Sequence, residues 1–182
     1  MKKLLFGFVG FLVAVLVGAL VVMYLGVYDV GTGNHDNAAM NWALDMAMTR
    51  SVARHARGVK APNLSDPAMI ERGLRHYRAM CVECHGAPGV APGEIAKGLF
   101  PDAPDLSESA SDWTPEQLYW IIKNGLKFTA MPAWGPTHGD RELWEMTAFV
   151  ARLPHLAPSD YQAMVERAGA GMGEVGTPRQ SK

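Results

Sequence analysis

The chain of 182 residues has two cysteines, Cys81 and Cys84, and His85 follows them directly. A disulfide between residues three positions apart closes a loop too small to constrain the unfolded chain. A closed structural zinc site needs four ligands. No second cysteine pair exists to complete Cys81, Cys84 and His85. A thioredoxin-like redox pair belongs in a βαβ setting, and no strand pattern stands out anywhere in the sequence. The reading that absorbs all three residues is C-x-x-C-H as a covalent haem attachment signature. Two thiols add across the two haem vinyl groups. A two-residue spacer lets both sulfurs reach one porphyrin edge, and the adjacent histidine lies under the iron. The expected cofactor is one haem c, bound through Cys81 and Cys84 with His85 as an axial ligand. Such attachment requires export, which also bears on the N-terminus.

Leu4 to Val27 contains no charged residue. About 20 apolar residues span a bilayer core as a helix. Lys2 and Lys3 also suit the start of a signal peptide, whose apolar core is about 7–15 residues long. Here the apolar run continues through Val21-Val22-Met23-Tyr24-Leu25. Val17-Gly18-Ala19 imitates a cleavage site, but more apolar sequence follows it. The expectation is an uncleaved, single-pass anchor over residues 1–28 in the inner (cytoplasmic) membrane. Lys2 and Lys3 would stay in the cytoplasm, with Tyr24 and Tyr28 at the outer interface. The rest would face the periplasm or an equivalent extracytoplasmic space.

Charge adds an exclusion. Residues 1–60 hold six Lys and Arg against three Asp, and the remainder holds eleven basic against fifteen acidic residues. A mildly acidic domain lacks the basic face that phosphate binding needs, so no nucleic-acid partner is expected.

The remaining segments read as helices and loops. Asp29 to Asn37 reads as a linker, and Ala38 to Arg57 as a helix free of Pro and Gly with basic residues in its last turns. That helix either packs on its own domain or near the membrane, or docks a membrane partner. Ser65 or Asp66 suits the N-cap of a helix running from Pro67 to about Met80. A loop follows from Ala87 to about Asp112. Thr114-Pro115-Glu116 opens a helix that ends near Asn124-Gly125. After a loop over 126–139, Asp140 is expected to cap a helix through Leu153. A weaker helix over 158–168 precedes a glycine-rich tail expected to be disordered. The domain division is then 1–28 anchor, 29–62 linker and arm helix, 63–157 haem domain, and 158–182 short helix and tail. The fold class is all-α.

The second axial ligand must come from elsewhere in the chain. Methionine is the common partner of histidine in electron carriers. Met131 is the best candidate, because it lies in a loop between two helices and Pro132 stiffens the backbone beside it. His138 is the substitute. Met146 reads as core, Met164 and Met172 fall near the tail, and His55 and His76 read as exposed. Trp113, Tyr119, Trp120 and Trp134 are candidates to line the haem cavity, and Glu83 and Glu94 read as solvated.

These motifs together resemble the class I cytochrome c family over about Asp66 to Leu156. The order in that family is helix, C-x-x-C-H, middle helix, methionine loop, last helix. Gly73 and Tyr77 resemble the family's glycine and aromatic where the first helix crosses the last, with Leu143, Trp144, Phe149 and Leu153 as partner surface. Asn124-Gly125 and Met131-Pro132-Ala133-Trp134 are similar to the family's methionine loop. Pro104-Asp105-Leu106 resembles the proline segment whose carbonyl accepts the axial histidine's second N–H, with Pro101 as a rival.

A histidine–methionine iron has no vacant position, so the resemblance implies one-electron transfer, with no catalytic residues and no enzyme activity. The expectation is a membrane-tethered carrier in a respiratory chain. Its partners would be redox proteins such as a quinol:cytochrome c reductase, a terminal oxidase or a dehydrogenase. A fixed cytochrome subunit of a membrane oxidase or dehydrogenase complex is the alternative, with the arm at Ala38–Arg57 as its docking element. A haem peroxidase or gas sensor ranks lower, since it needs an open sixth site.

Overall fold

The computed structural model describes residues 2–32 and 38–170. The chain divides into a unit ending at Asp36 and a unit beginning at Asn37. The first unit is one helix, α1 (Lys2–Tyr24). Its 23 residues extend about 35 Å at 1.5 Å per residue. No residue of its apolar window is buried. It stops before Val27 because Gly26 turns the backbone to φ 64°.

The described residues of the second unit are helices joined by loops. The unit contains α2 (Ala38–His55), α3 (Pro67–Met80), α4 (Val82–His85), α5 (Leu106–Ser109), α6 (Pro115–Asn124), α7 (Asp140–Val150) and α8 (Pro158–Ala170). Among the described residues the only extended pairing is an isolated bridge between Ala87 and Val90. The glycine-rich tail from 171, with Met172, and the linker residues 33–37 lie outside the described residues.

Local capping explains most boundaries. Asp66 caps α3 by accepting from Ala68 N at 3.0 Å, with Pro67 at the first position. Thr114 and Gln117 form a reciprocal capping box at α6. One expectation fails at α7. Asp140 is its first residue and Gly139 its cap, whose N–H donates to Glu142 Oε2 at 2.9 Å. The Asp140 carboxylate is engaged elsewhere, accepting from Tyr119 Oη and from Lys123 Nζ, each at 2.7 Å. Those bonds hold its carboxyl below the usual carboxylate range. α7 also ends earlier than Leu153, at Val150, and a 3₁₀ turn over Leu153–His155 follows. The segment from Ala87 to Asp112, expected as loop, contains α5 and two 3₁₀ turns, Glu94–Gly98 and Ala110–Asp112.

The core forms where α3 crosses α7. Leu74 and Tyr77 of α3 meet Leu143, Met146, Phe149 and Val150 of α7, all buried. Leu118, Tyr119 and Ile122 of α6 extend this core, and α8 adds Tyr161, whose ring centre lies 6.4 Å from that of Phe149. The crossing is close because Gly73 has no side chain. A methyl there would run into the Glu145 carbonyl oxygen and come to 2.8 Å from Phe149 Cβ. Glu145 itself is 2% exposed. A buried charge must be paired, and Arg72 Nε donates to its Oε1 at 2.6 Å. Arg141 Nε and His76 Nε2 lie 3.7 Å from its two oxygens. α2 joins this unit through its C-terminal end, where Val52 is buried, Ala56 just beyond it is buried, and His55 stacks on Trp120 at 5.6 Å.

Candidate functional site

Cys81 ends α3 and starts α4, so the C-x-x-C-H segment is one helical turn joined to the crossing helix. Cys81 N donates to Tyr77 O at 2.8 Å, and His85 N donates to Cys81 O at 2.9 Å. This spacing puts Cys81 and His85 on one side of the turn. The turn is fixed from below by Tyr77, whose buried hydroxyl donates to Gly86 O at 2.6 Å. Gly86 sits at φ 62°, and a Cβ there would come to 2.7 Å from Val90 O.

Both cysteines are free thiols and half-buried. Burial, aided by the neighbouring Cys84, pushes the Cys81 thiol up to about 12, so it is held protonated. His85 Nδ1 lies 2.8 Å from Pro104 O. A carbonyl only accepts, so Nδ1 carries the proton and Nε2 keeps its lone pair for a metal. Of the two candidate prolines it is Pro104 whose carbonyl meets His85. Asp105 holds that carbonyl in place by capping α5, accepting from Ser107 N at 2.7 Å. Sequence reasoning gave Asp105 no role, although Asp followed three residues later by Glu, here Glu108, is a helix-start signal.

Met131 lies in the loop after α6, half-buried against the core. The loop is tied to the end of α6 by main-chain bonds. Leu126 N donates to Met131 O at 3.2 Å, Trp134 N to Ile122 O at 3.1 Å, and Gly135 N to Lys123 O at 2.9 Å. Thr129 adds a side-chain turn, with Met131 N donating to its Oγ1 at 3.0 Å. Thr129 was not singled out from sequence. Its signal is a hydroxyl two residues ahead of the candidate ligand. Gly125 makes the fit possible. It has φ 64°, and a Cβ there would lie 2.7 Å from Ala133 N and from Pro132 C. Gly125→Ala is therefore expected to displace the Met131 loop and to cost about 2 kcal/mol, from left-handed strain and overpacking. The check is thermal unfolding together with loss of the sulfur-to-iron charge-transfer band of the oxidised holoprotein.

The other candidates are placed as follows. His138 is half-buried, with Nδ1 2.9 Å from Thr137 Oγ1 and its ring edge-on to Trp134 and His76. Met146 is core at 1% exposure, and Met164 packs at the core edge. His55 is exposed as expected, whereas His76 is half-buried beside Glu145. Trp113 and Trp134 are half-buried at the core edge with Cys81, Val82, Leu106 and Met131. Tyr119 is buried in the core, stacked on Trp144 at 4.1 Å. Trp120 stacks on His55 of α2. Glu83 and Glu94 are exposed.

This donor set fits a c-type haem. Two reduced thiols share a helical turn with a histidine whose outer nitrogen is already committed. Half-buried apolar side chains at the core edge offer an apolar lining. Among the described residues no group of three or more His, Cys, Asp and Glu could hold a bare metal ion.

Residues 68–150 match the family model described as cytochrome c oxidase, cbb3-type, subunit III. The chain is 30% identical over 128 residues to the cbb3-type cytochrome c oxidase subunit FixPc of Rhizobium leguminosarum bv. viciae. The alignment covers 69% of this chain and 42% of that relative, so the chain spans less than half the relative's length. Among solved structures, a chain of the Kuenenia stuttgartiensis reducing HAO-like protein complex aligns with a TM-score of 0.41 and 22% identity, over 52% of this chain and 50% of that one.

Proposed function

We propose that the chain is a membrane-tethered carrier of single electrons between redox proteins, a reading supported by the match of residues 68–150 to a family model of a cytochrome c oxidase subunit. The observation that carries this reading is the helical turn that holds Cys81, Cys84 and His85 together with Nδ1 of His85 committed to Pro104. In this reading Cys81 and Cys84 would hold one haem c through thioethers, and His85 and Met131 would ligate its iron. When bound, the haem supplies a one-electron ferric–ferrous couple. The residues around it do the rest. Pro104 fixes the imidazole and raises its basicity. The α6 end and Gly125 keep the Met131 thioether in place, which favours the reduced state. Apolar side chains at the core edge exclude water from the site. A site with both axial positions filled suits electron transfer without catalysis.

α1 serves as the membrane anchor, with the haem domain on the extracytoplasmic side. A tether raises the concentration of the domain near membrane partners. A second reading has its own support in the relative's description as an oxidase subunit. There the chain is fixed in a membrane oxidase complex and passes electrons to it. Extraction in a mild detergent separates the two. A stoichiometric partner that co-purifies supports the fixed subunit, and a lone monomer supports the carrier. The cofactor assignment is tested by Cys81→Ala combined with Cys84→Ala. This variant is expected to give a chain with no haem retained on a denaturing gel. Retained haem would sink the assignment.

A further inference from the structure

α2 carries a surface that electron transfer leaves unexplained. Its C-terminal end is packed on the haem domain through Val52 and the His55–Trp120 stack. Its N-terminal half leaves large apolar side chains in the open. Trp42 is 65% exposed, and Leu44 and Met46 are exposed as well. At 100° per residue, Ala39, Ala43, Met46, Ala47, Arg50 and Arg54 fall on one face. Val52 lies nearly opposite, so this face turns away from the helix's own packing contact. The face changes character along its length, apolar up to Ala47 and basic from Arg50 on. All six of its residues are exposed, and Arg57 and Lys60 extend the basic end. Between residues 38 and 60 the only acidic residue is Asp45, which lies on the Val52 side.

We infer that this outward face of α2 lies in the headgroup zone of an anionic lipid bilayer. Met46 and, at the edge of the face, Trp42 enter the acyl boundary, and Arg50 and Arg54 contact lipid phosphates. Three observations select lipid as the occupant. The basic half is complementary to anionic headgroups. An exposed tryptophan beside aliphatic side chains suits the bilayer interface. Only 13 residues separate Tyr24 from Ala38, so α2 follows the apolar helix α1 closely in the sequence. The inference rests on α1 being a retained anchor, so the test reads that separately.

The experiment uses the full-length holoprotein, iron kept ferrous, in vesicles of phosphatidylcholine with phosphatidylglycerol. Nitroxide labels are placed one at a time at Met46→Cys, at Val13→Cys in α1 and at Ser159→Cys on α8. Collision with oxygen marks lipid exposure, and collision with a water-soluble nickel chelate marks water. The Met46 label is expected to meet oxygen and be shielded from nickel, while the Ser159 label meets nickel. Adding Arg50→Glu and Arg54→Glu is expected to shift the Met46 label toward water, by roughly fivefold in the bound-to-free ratio for each arginine lost. A Met46 label as open to nickel as Ser159 overturns the inference. A Met46 label that neither reagent reaches also overturns it, because a protein then covers the face. A Val13 label open to nickel overturns the anchor reading whatever the Met46 label reports.

Discussion

Gly73→Ala is expected to lower the stability of the haem domain more than any other single methyl added to it. The new Cβ meets the Glu145 carbonyl oxygen and lies 2.8 Å from Phe149 Cβ. Neither neighbour is the free end of a flexible side chain. One is main chain and the other is the root of a fully buried residue. The helices must therefore separate, which opens the contacts of Leu74 and Tyr77 with α7 and strains the Arg72–Glu145 pair. Overpacking of a well-packed core costs about 1–3 kcal/mol, and a backbone clash sits at or above the top of that range. For a domain of this size about 3 kcal/mol corresponds to a fall in Tm of roughly 15 °C. Thermal unfolding followed by helical circular dichroism checks this. A fall of no more than a few degrees would mean that the crossing adapts freely.

Met131→Ala is expected to have the largest effect on the redox chemistry and a small one on the fold. The side chain is half-buried in a loop, and the loop is held mainly by main-chain bonds that alanine keeps. Stability should thus change little. The reduced variant should bind carbon monoxide rapidly, and the reduced parent should not. The potential should fall by on the order of 0.1–0.2 V, within the span of about 0.8 V over which axial ligands tune haem iron. Potentiometric titration and carbon monoxide difference spectra check both. If neither property changes, Met131 is not the ligand, and His138 is the next residue to test.

The helices and the grouping of Cys81, Cys84 and His85 were legible in the sequence for a physical reason. The C-x-x-C-H spacing is local, and one helical turn suffices to bring its groups together. Helix boundaries at Asp66, Thr114 and Gly125 were legible because caps and positive-φ glycines act within four residues. The Gly73–Tyr77 pattern marked the crossing with α7, but only through resemblance. Other features depend on distant partners and were not legible. Asp140 looked like a cap because Asp is a good one, yet Tyr119 and Lys123 claim its carboxylate from α6. Glu145 carries no local sequence signal of its burial. It is buried because Gly73 draws α3 so close, and Arg72 then has to pair it. Asp105 was passed over because its effect is indirect: it fixes a neighbour's carbonyl, which in turn fixes His85.

The two sides of the site are anchored unequally. His85 continues from α3, whose residues are locked in the tightest packing of the domain. The Met131 loop hangs from the end of α6 by a few main-chain bonds, with exposed Phe128 at φ 62° along it. Regions with few buried contacts open well before the whole fold melts. With Met131 as the proposed ligand, electron-transfer competence is therefore expected to be lost on heating while the helices are still intact, and a melting curve read from helical signal would overstate the working range of the protein.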